Sequence, residues 1–275
     1  MNKNPKVSIV TVSYNAVDTI ESTILSVINQ DYPNIEYIII DGGSTDGTVE
    51  IIKKYQNKIA YWISEPDEGL YYAMNKGIAV ATGEWITMRN CGDLFAEKDS
   101  LSKLFKDSID PTVDFLCAAA YRITDLGYYI AKSRDITQHS YKMTVVHPAT
   151  FVRTSWHKQN PFNTKYKVSA DYCLIYASVK KRRKFEYRNI PIVIFPSGGY
   201  SGIHWDKAYR ECRLVRGKET FWGRFVTESY ILYMKLISSI RHIIRIIPYA
   251  DRKRKEILIK KLDIKPLPLP LEKFY

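Results

Sequence analysis

The sequence predicts an α/β fold: a mostly parallel sheet flanked by helices, followed by a basic, amphipathic helical extension. Apolar runs of strand length alternate with helix-period segments from Val7 to Met88, the pattern of a sheet with helices on both faces. A length of 275 residues with 45% hydrophobic and 13% aromatic content is ample for one large packed core. The net charge of +12 is uneven, because residues 216–275 hold 14 Lys/Arg against 6 Asp/Glu and so carry +8 of it.

The first strand is Val7 to Tyr14 (VSIVTVSY), an apolar run of buried-strand length. Asp18-Thr19-Ile20-Glu21 then reads as a helix N-cap with an acid three residues on, and Ile20, Ile24, Val27 and Ile28 keep helical spacing. Asp31-Tyr32-Pro33-Asn34 breaks that helix before a second strand, Ile35 to Ile40. A helix from about Asp46 to Tyr55, a strand Ala60 to Ser64, a helix Leu70 to Ala81 and a strand Glu84 to Met88 complete the regular part. Beyond it, apolar runs at Phe115–Ala119, Tyr128–Ala131, Ala149–Val152 and Ile190–Phe195 and a helix-like stretch Ala170–Lys180 read as a second half of the same domain. The expected organisation is a domain over 1–215, with halves of about 1–95 and 96–215, and a tail over 216–275. Lys265 to Leu271, with alternating prolines, should be extended.

Several classes are excluded. Cys91, Cys117, Cys173 and Cys212 form no CxxC pair, so neither a zinc cluster nor a disulfide framework is expected, and a reducing cytoplasm is the simplest home. The N-terminus runs into the first strand without the apolar region of a signal peptide. No GxGxxG follows the first strand and no GxxxxGK[ST] occurs, which removes the usual dinucleotide and P-loop cradles.

In a parallel sheet ligands bind beyond the carboxyl ends of the strands, and Asp41 and Asp93 both stand just past strand ends. Asp46, in the glycine-rich turn Asp41-Gly42-Gly43-Ser44-Thr45-Asp46-Gly47-Thr48, reads as the cap of the next helix. Asp41 ends an apolar strand, where a carboxylate is costly to bury without donors, and base N–H or ribose hydroxyl groups are natural ones.

Four segments, "VSIVTVSYNA", "YIIIDGGSTDGT", "SEPDEGLYYAMNKGIAVATGEW" and "NCGDLF", in this order and spacing, resemble a family 2 glycosyltransferase of the GT-A fold over roughly residues 5 to 200. The resemblance implies inverting transfer of a sugar from a nucleotide-sugar donor, usually a UDP-sugar, to a hydroxyl of a glycan or lipid-linked acceptor. It implies that Thr11, Tyr14, Asn15 and Asp41 line the nucleoside pocket. It also implies that Glu65, Asp67, Asn75 and Lys76 belong to the donor site, the Lys76 cation offsetting diphosphate charge. Many relatives have a second acid where this chain has Gly42, and close relatives often carry an acid where it has Tyr72. The family's metal motif corresponds to Asn90-Cys91-Gly92-Asp93, with Asp93 as the one carboxylate available to Mn²⁺ or Mg²⁺. One carboxylate suffices when donor phosphates and water supply the other oxygens, whereas Cys91 is a poor ligand for such an ion. Asp171 in "VSADYCLIYA" matches the family's base, His147 a position facing the acceptor, and Gly199 and Ser201 a late loop over donor or acceptor.

From Phe221 to Ile247 a helix with one polar stripe is expected, Arg224, Glu228, Lys235 and His242 sharing an arc with Arg241 and Arg245 beside it. Its charge-free runs are far shorter than the roughly 20 residues that span a bilayer. Three partners stay open for it: an anionic membrane surface helped by Arg252-Lys253-Arg254-Lys255, the catalytic domain, or a second subunit in a homo-oligomer. Two rival functions also stay open, a sugar nucleotidyltransferase on a similar fold and a non-catalytic membrane or nucleic-acid binder using the tail. No nucleic-acid module is visible, so nucleic acid is not an expected partner.

Overall fold

The computed structural model describes residues 4–136, 143–217, 220–246 and 248–267, and the side chains of 239–251 are outside that description. Along the chain run β1 (Val7–Ser13), α1 (Val17–Ile28), β2 (Ile35–Asp41), α2 (Thr48–Lys54), β3 (Tyr61–Ser64), α3 (Leu70–Val80) and β4 (Trp85–Asn90). Next come β5 (Leu94–Phe95), α4 (Ser100–Leu104), β6 (Val113–Thr124), β7 (Gly127–Ala131), β8 (Thr150–Arg153), α5 (Thr154–Gln159), α6 (Ala170–Lys180) and β9 (Lys184–Pro196). The C-terminal elements are α7 (Tyr200–Ile203), α8 (Trp205–Val215), α9 (Phe221–Ile246) and α10 (Pro248–Leu262).

One sheet runs through the molecule in the order β3-β2-β1-β4-β8-β6-β9-β5, with β7 on β6. β3, β2, β1 and β4 are parallel, as their crossover helices require. Past β4 the sheet is mixed: β8 is antiparallel to β4 and β6, β5 to β9 and β7 to β6, while β6 and β9 are parallel. The first four strands are parallel as expected, while the second half is mixed, and there the tight hairpin with Thr124 pairing with Gly127 makes β6 and β7 antiparallel.

Every residue of β1 is buried, so its two faces feed two cores. Val7 and Ile9 pack with Ile20, Ile24 and Trp85 on the α1 side, and Val10 and Val12 with Met74, Ile78 and Ile175 on the α3 side. Each such side chain contributes about 1.5–3 kcal/mol by burial. α3 lies so close to β1 that a Cβ on Gly77 would stand 2.3 Å from Val10 Cγ1. α1 starts at Val17 rather than at Asp18, and its first amides are capped from another segment: Thr48 Oγ1 accepts from Ala16 N at 2.8 Å and Asp46 Oδ2 from Val17 N at 3.0 Å. Asp46 Oδ1 also accepts from Thr48 N and Oγ1, so one carboxylate caps α1 and opens α2.

α9 ends at Ile246, close to the expected boundary. The expected polar stripe is described as far as Lys235; Arg241, His242 and Arg245 lie outside the described side chains, as does most of the proline run. Lys265 returns to the sheet edge, exchanging two backbone hydrogen bonds with Tyr128 at 2.8 and 2.9 Å. Gly127 permits that approach, since a Cβ there would be 2.1 Å from the Lys265 carbonyl oxygen.

At the amino ends of the strands, the buried Glu36 accepts from Ser8 Oγ and Thr82 N, both at 2.6 Å, from Lys6 Nζ at 2.7 Å and from Thr82 Oγ1. Burial would raise its pKa, but these donors outweigh it and bring the value from 4.5 to about 2. The stabilisation is therefore present above pH 4.5 and lost as pH falls through about 2. Glu36→Gln is expected to lower unfolding free energy at neutral pH by about 2 kcal/mol. Urea titrations at falling pH should show the gap between the two proteins closing below pH 4.5.

Candidate active site

The carboxyl ends of β1, β2, β3 and β4 bring four loops together. Ser13, Asp41 and Ser64 stand side by side in register on three strands. Asp41 has no exposed surface, and its carboxylate accepts hydrogen bonds from Ser13 Oγ (2.7 Å), Ser44 Oγ (2.6 Å), Ser64 Oγ (2.7 Å), Ser44 N (2.8 Å) and Gly43 N (3.1 Å). Burial pushes its pKa up and these donors, prevailing, hold it below the ordinary value. The donors sought for Asp41 are thus serine hydroxyls and amides of its own loop. Asn15, in the left-handed region at φ 46°, donates its amide to Ser44 Oγ at 2.8 Å and accepts from Thr45 N at 3.0 Å, fixing the same loop.

Two other candidates are engaged within the protein. Thr11 is fully buried with its hydroxyl 3.1 Å from Tyr37 Oη, and Asn75 exchanges two 2.9 Å hydrogen bonds with the backbone of Phe162. Tyr14 is 68% exposed and offers a free ring face. Beside it a Cβ at Gly42 would be 3.4 Å from the Tyr14 ring and 3.0 Å from Asp67 Oδ2, so the Asp67 carboxylate occupies the space that a side chain at 42 would need. Lys76 Nζ is paired with Glu65 at 2.7 Å.

β4 runs two residues further than expected, to Asn90, and the turn behind it is tight: Asp93 N donates to Asn90 O at 3.0 Å and Asn90 N to Asp93 Oδ2 at 3.3 Å. Asn90 Oδ1 is buried without a hydrogen-bond partner. Beneath the turn lies Arg89, fully buried, its guanidinium 4.2 Å from the Phe95 ring centre and Nη1 donating to Pro148 O at 2.5 Å. Burial pushes Arg89 down to about 10 and Asp93 up to about 6, each opposed by the charge of the other. Two hard oxygen donors, Asp93 carboxylate and Asn90 Oδ1, therefore fit a divalent cation, provided a bound donor and water complete the shell. Among the described residues no three His, Cys, Asp or Glu side chains converge to do so alone. Cys91 is turned to Val12 O at 3.4 Å, and burial holds its thiol at about 12.

His147 and Pro148 bridge this loop to the second half. Pro148 O holds Arg89, and His147 Nδ1 is 3.8 Å from Asp171 Oδ2 in the first turn of α6. Tyr71 Oη lies 3.2 Å from Asp171 Oδ1 and 3.0 Å from Val168 O, so its one proton can serve either. Burial lowers the His147 pKa, the Asp171 charge opposing, and burial drops the neighbouring His157 to about 4, so both imidazoles are neutral at pH 7. Gly199 and Ser201 are exposed at the start of α7.

Sequence reasoning missed Glu211 and Asn90. Glu211, on α8 and 7% exposed, accepts three backbone amides, from Lys167, Val168 and Ser169, at 2.8–2.9 Å, and so fixes the segment that leads into Asp171. No local pattern signals that role, since its partners lie more than forty residues away. Asn90 had one signal, its place three residues before Asp93 at a strand end.

The family model for glycosyl transferase family 2 matches residues 8–182. An uncharacterized glycosyltransferase of Mycobacterium tuberculosis is 41% identical over 104 residues, 38% of this chain and 40% of that one. The putative teichuronic acid biosynthesis glycosyltransferase TuaG of Bacillus subtilis is 37% identical over 127 residues, 46% of this chain and 48% of that one. The matches thus span less than half the length of these two curated relatives. Among solved structures, S. aureus TarS superposes with a TM-score of 0.58 at 20% identity, covering 76% of this chain and 65% of that one. The mannosyltransferase PcManGT of Pyrobaculum calidifontis, in complex with GDP-Man and Mn²⁺, gives a TM-score of 0.57 at 20% identity over 74% and 60%. At such identities the structural likeness speaks to the fold, which is GT-A; the family model decides membership, and with it matching well over half of the residues, the chain belongs to glycosyl transferase family 2.

Proposed function

We propose that the chain is an inverting glycosyltransferase that moves a sugar from a nucleoside diphosphate donor, a UDP-sugar, to a hydroxyl of a glycan or lipid-linked acceptor in surface polysaccharide or glycolipid synthesis. The observation that supports this reading is the chain of contacts from Asp93 through Arg89, Pro148 and His147 to Asp171, which links the two candidate carboxylates across the two halves of the domain. The names of similar proteins support a nucleoside diphosphate donor and a glycan product: TuaG is named a putative teichuronic acid biosynthesis glycosyltransferase, TarS has been solved with UDP-GlcNAc, and PcManGT with GDP-Man.

In this reading the exposed Tyr14 ring stacks on the base, while Asp41 and Asn15 hold the loop beneath it rather than touching the nucleotide. Thr11 and Asn75 likewise act through packing. Asp93 and Asn90 would hold Mn²⁺ or Mg²⁺, which when bound supplies positive charge to the leaving diphosphate. Asp171 takes the acceptor hydroxyl proton as that oxygen bonds to the anomeric carbon, and the carbon's bond to the diphosphate oxygen breaks on the opposite face. One carboxylate base is enough for such a single displacement. Neutral His147 and the Tyr71 hydroxyl orient Asp171, and Glu211 fixes the backbone from which it projects.

Asp171→Asn is expected to lower transfer by about 100-fold or more with donor affinity nearly unchanged. Loss of both together, measured by calorimetry and product formation, would assign Asp171 a structural role instead. Asp93→Ala should weaken Mn²⁺ binding in the presence of UDP by about tenfold or more, and unaltered binding would remove Asp93 from the metal site. Glu211→Gln, which leaves one oxygen for three amides, should lower stability by about 1–3 kcal/mol. It should also reduce kcat more than it alters KM, whereas a purely structural role predicts loss of stability with kcat unchanged.

A further inference from the structure

α9 meets the rest of the protein with a narrow stripe. Thr227 and Ile231 are buried and Met234 is partly buried, three positions at helical spacing that face inward. α8 fixes the direction: Arg210 donates to both oxygens of Glu228 at 2.8 and 2.9 Å, the Tyr209 and Tyr230 rings lie 4.8 Å apart, and Lys235 is 3.5 Å from Asp206. Partner numbers fall on α8 as they rise on α9, so the two helices are antiparallel.

That stripe is not the apolar face. At roughly 100° per residue, Phe221, Leu232, Phe225, Leu236, Trp222 and Tyr233 fill an arc of about 120° that neither includes the inward stripe nor contains a charge. They are 55–79% exposed. An aromatic and aliphatic face of this kind, interrupted within residues 221–238 by Ser229 alone, marks a docking surface, since water-facing helix sides are ordinarily polar. Arg224, Glu228 and Lys235 line one edge of the arc.

The charge of the region selects the occupant. Residues 216–275 carry +8, a charge that includes the exposed Arg252, Lys253, Lys260 and Lys261 of α10 beside α9. A second copy of this chain would bring +8 against +8, whereas an anionic bilayer gains about 1 kcal/mol for each basic residue near it. Trp and Tyr suit the headgroup depth, their rings apolar and their polar atoms wet. No helix among the described residues is long and apolar enough to cross a membrane. We infer that the exposed arc of α9 lays this helix flat on an anionic lipid surface, with Phe221 and Phe225 inserted toward the acyl chains and Trp222 at the headgroup boundary. The inference stands apart from the transfer reaction and is tested without any sugar.

The test is flotation of the full chain with vesicles of phosphatidylcholine alone or mixed with phosphatidylglycerol. The expected result is binding to the anionic vesicles at least about tenfold tighter than to neutral ones, with a blue shift of tryptophan emission. Phe221→Ser, Trp222→Ser and Phe225→Ser combined should cut that binding at least about tenfold with an unchanged circular dichroism spectrum. Should the triple variant fail to fold, the single change Phe225→Glu gives the same reading. Equal flotation of variant and wild type overturns the inference, as does wild-type flotation with neither vesicle. A wild-type dimer by ultracentrifugation that the variants convert to monomer, without vesicle binding, assigns the face to a second copy.

Discussion

A carboxylate sealed from water has to find its hydrogen-bond donors inside the protein, and Asp41 finds five of them where three parallel strands end together. Two come from in-register neighbours, Ser13 on β1 and Ser64 on β3, so the charge locks the strand ends to one another before any loop is considered. The other three come from Gly43 and Ser44, which bend the chain over the carboxylate. Asn15 then ties the β1 loop to Ser44 and Thr45, and Asp46 caps α1 from the α2 side. The loops at these strand ends are therefore shaped by a buried ionic hub, with the exposed Tyr14 ring and the half-exposed Asp67 beside it.

The parallel half was legible in the sequence because its strands are buried on both faces, and residues such as Val7 to Val12 have no polar alternation to confuse with helix. The second half was not. β6 and β9 are long strands with three register irregularities between them, and β5 has two residues, too short for any period. Asp171 and His147 could be found as motifs, and the fold brings their side chains together as neighbours. The buried charge of Asp41 does require donors, as its place at the end of an apolar strand implies; which donors serve it depends on strand register, and register is a property of the assembled sheet. Asn90 was passed over because an amide carries no charge to attract notice, although its oxygen is buried without a hydrogen-bond partner.

Arg89 gives the Asp93 turn an unusual foundation. A guanidinium under a candidate cation site is a costly placement, and here it is held by an aromatic ring on one side and a proline carbonyl on the other. Its charge opposes the desolvation of Asp93, so the turn keeps a carboxylate in surroundings that would otherwise favour the acid form. The same side chain, by gripping Pro148, sets where His147 can stand.

The pairing of Lys265 with Tyr128 gives the helical extension two attachments, one through α8 and one at the sheet edge. A segment tethered at one end swivels; a segment fastened at both ends behaves as a handle. Any surface that grips α9 therefore grips the catalytic body in a defined attitude, with the tilt of the cleft settled by two anchors rather than by the slack of a linker.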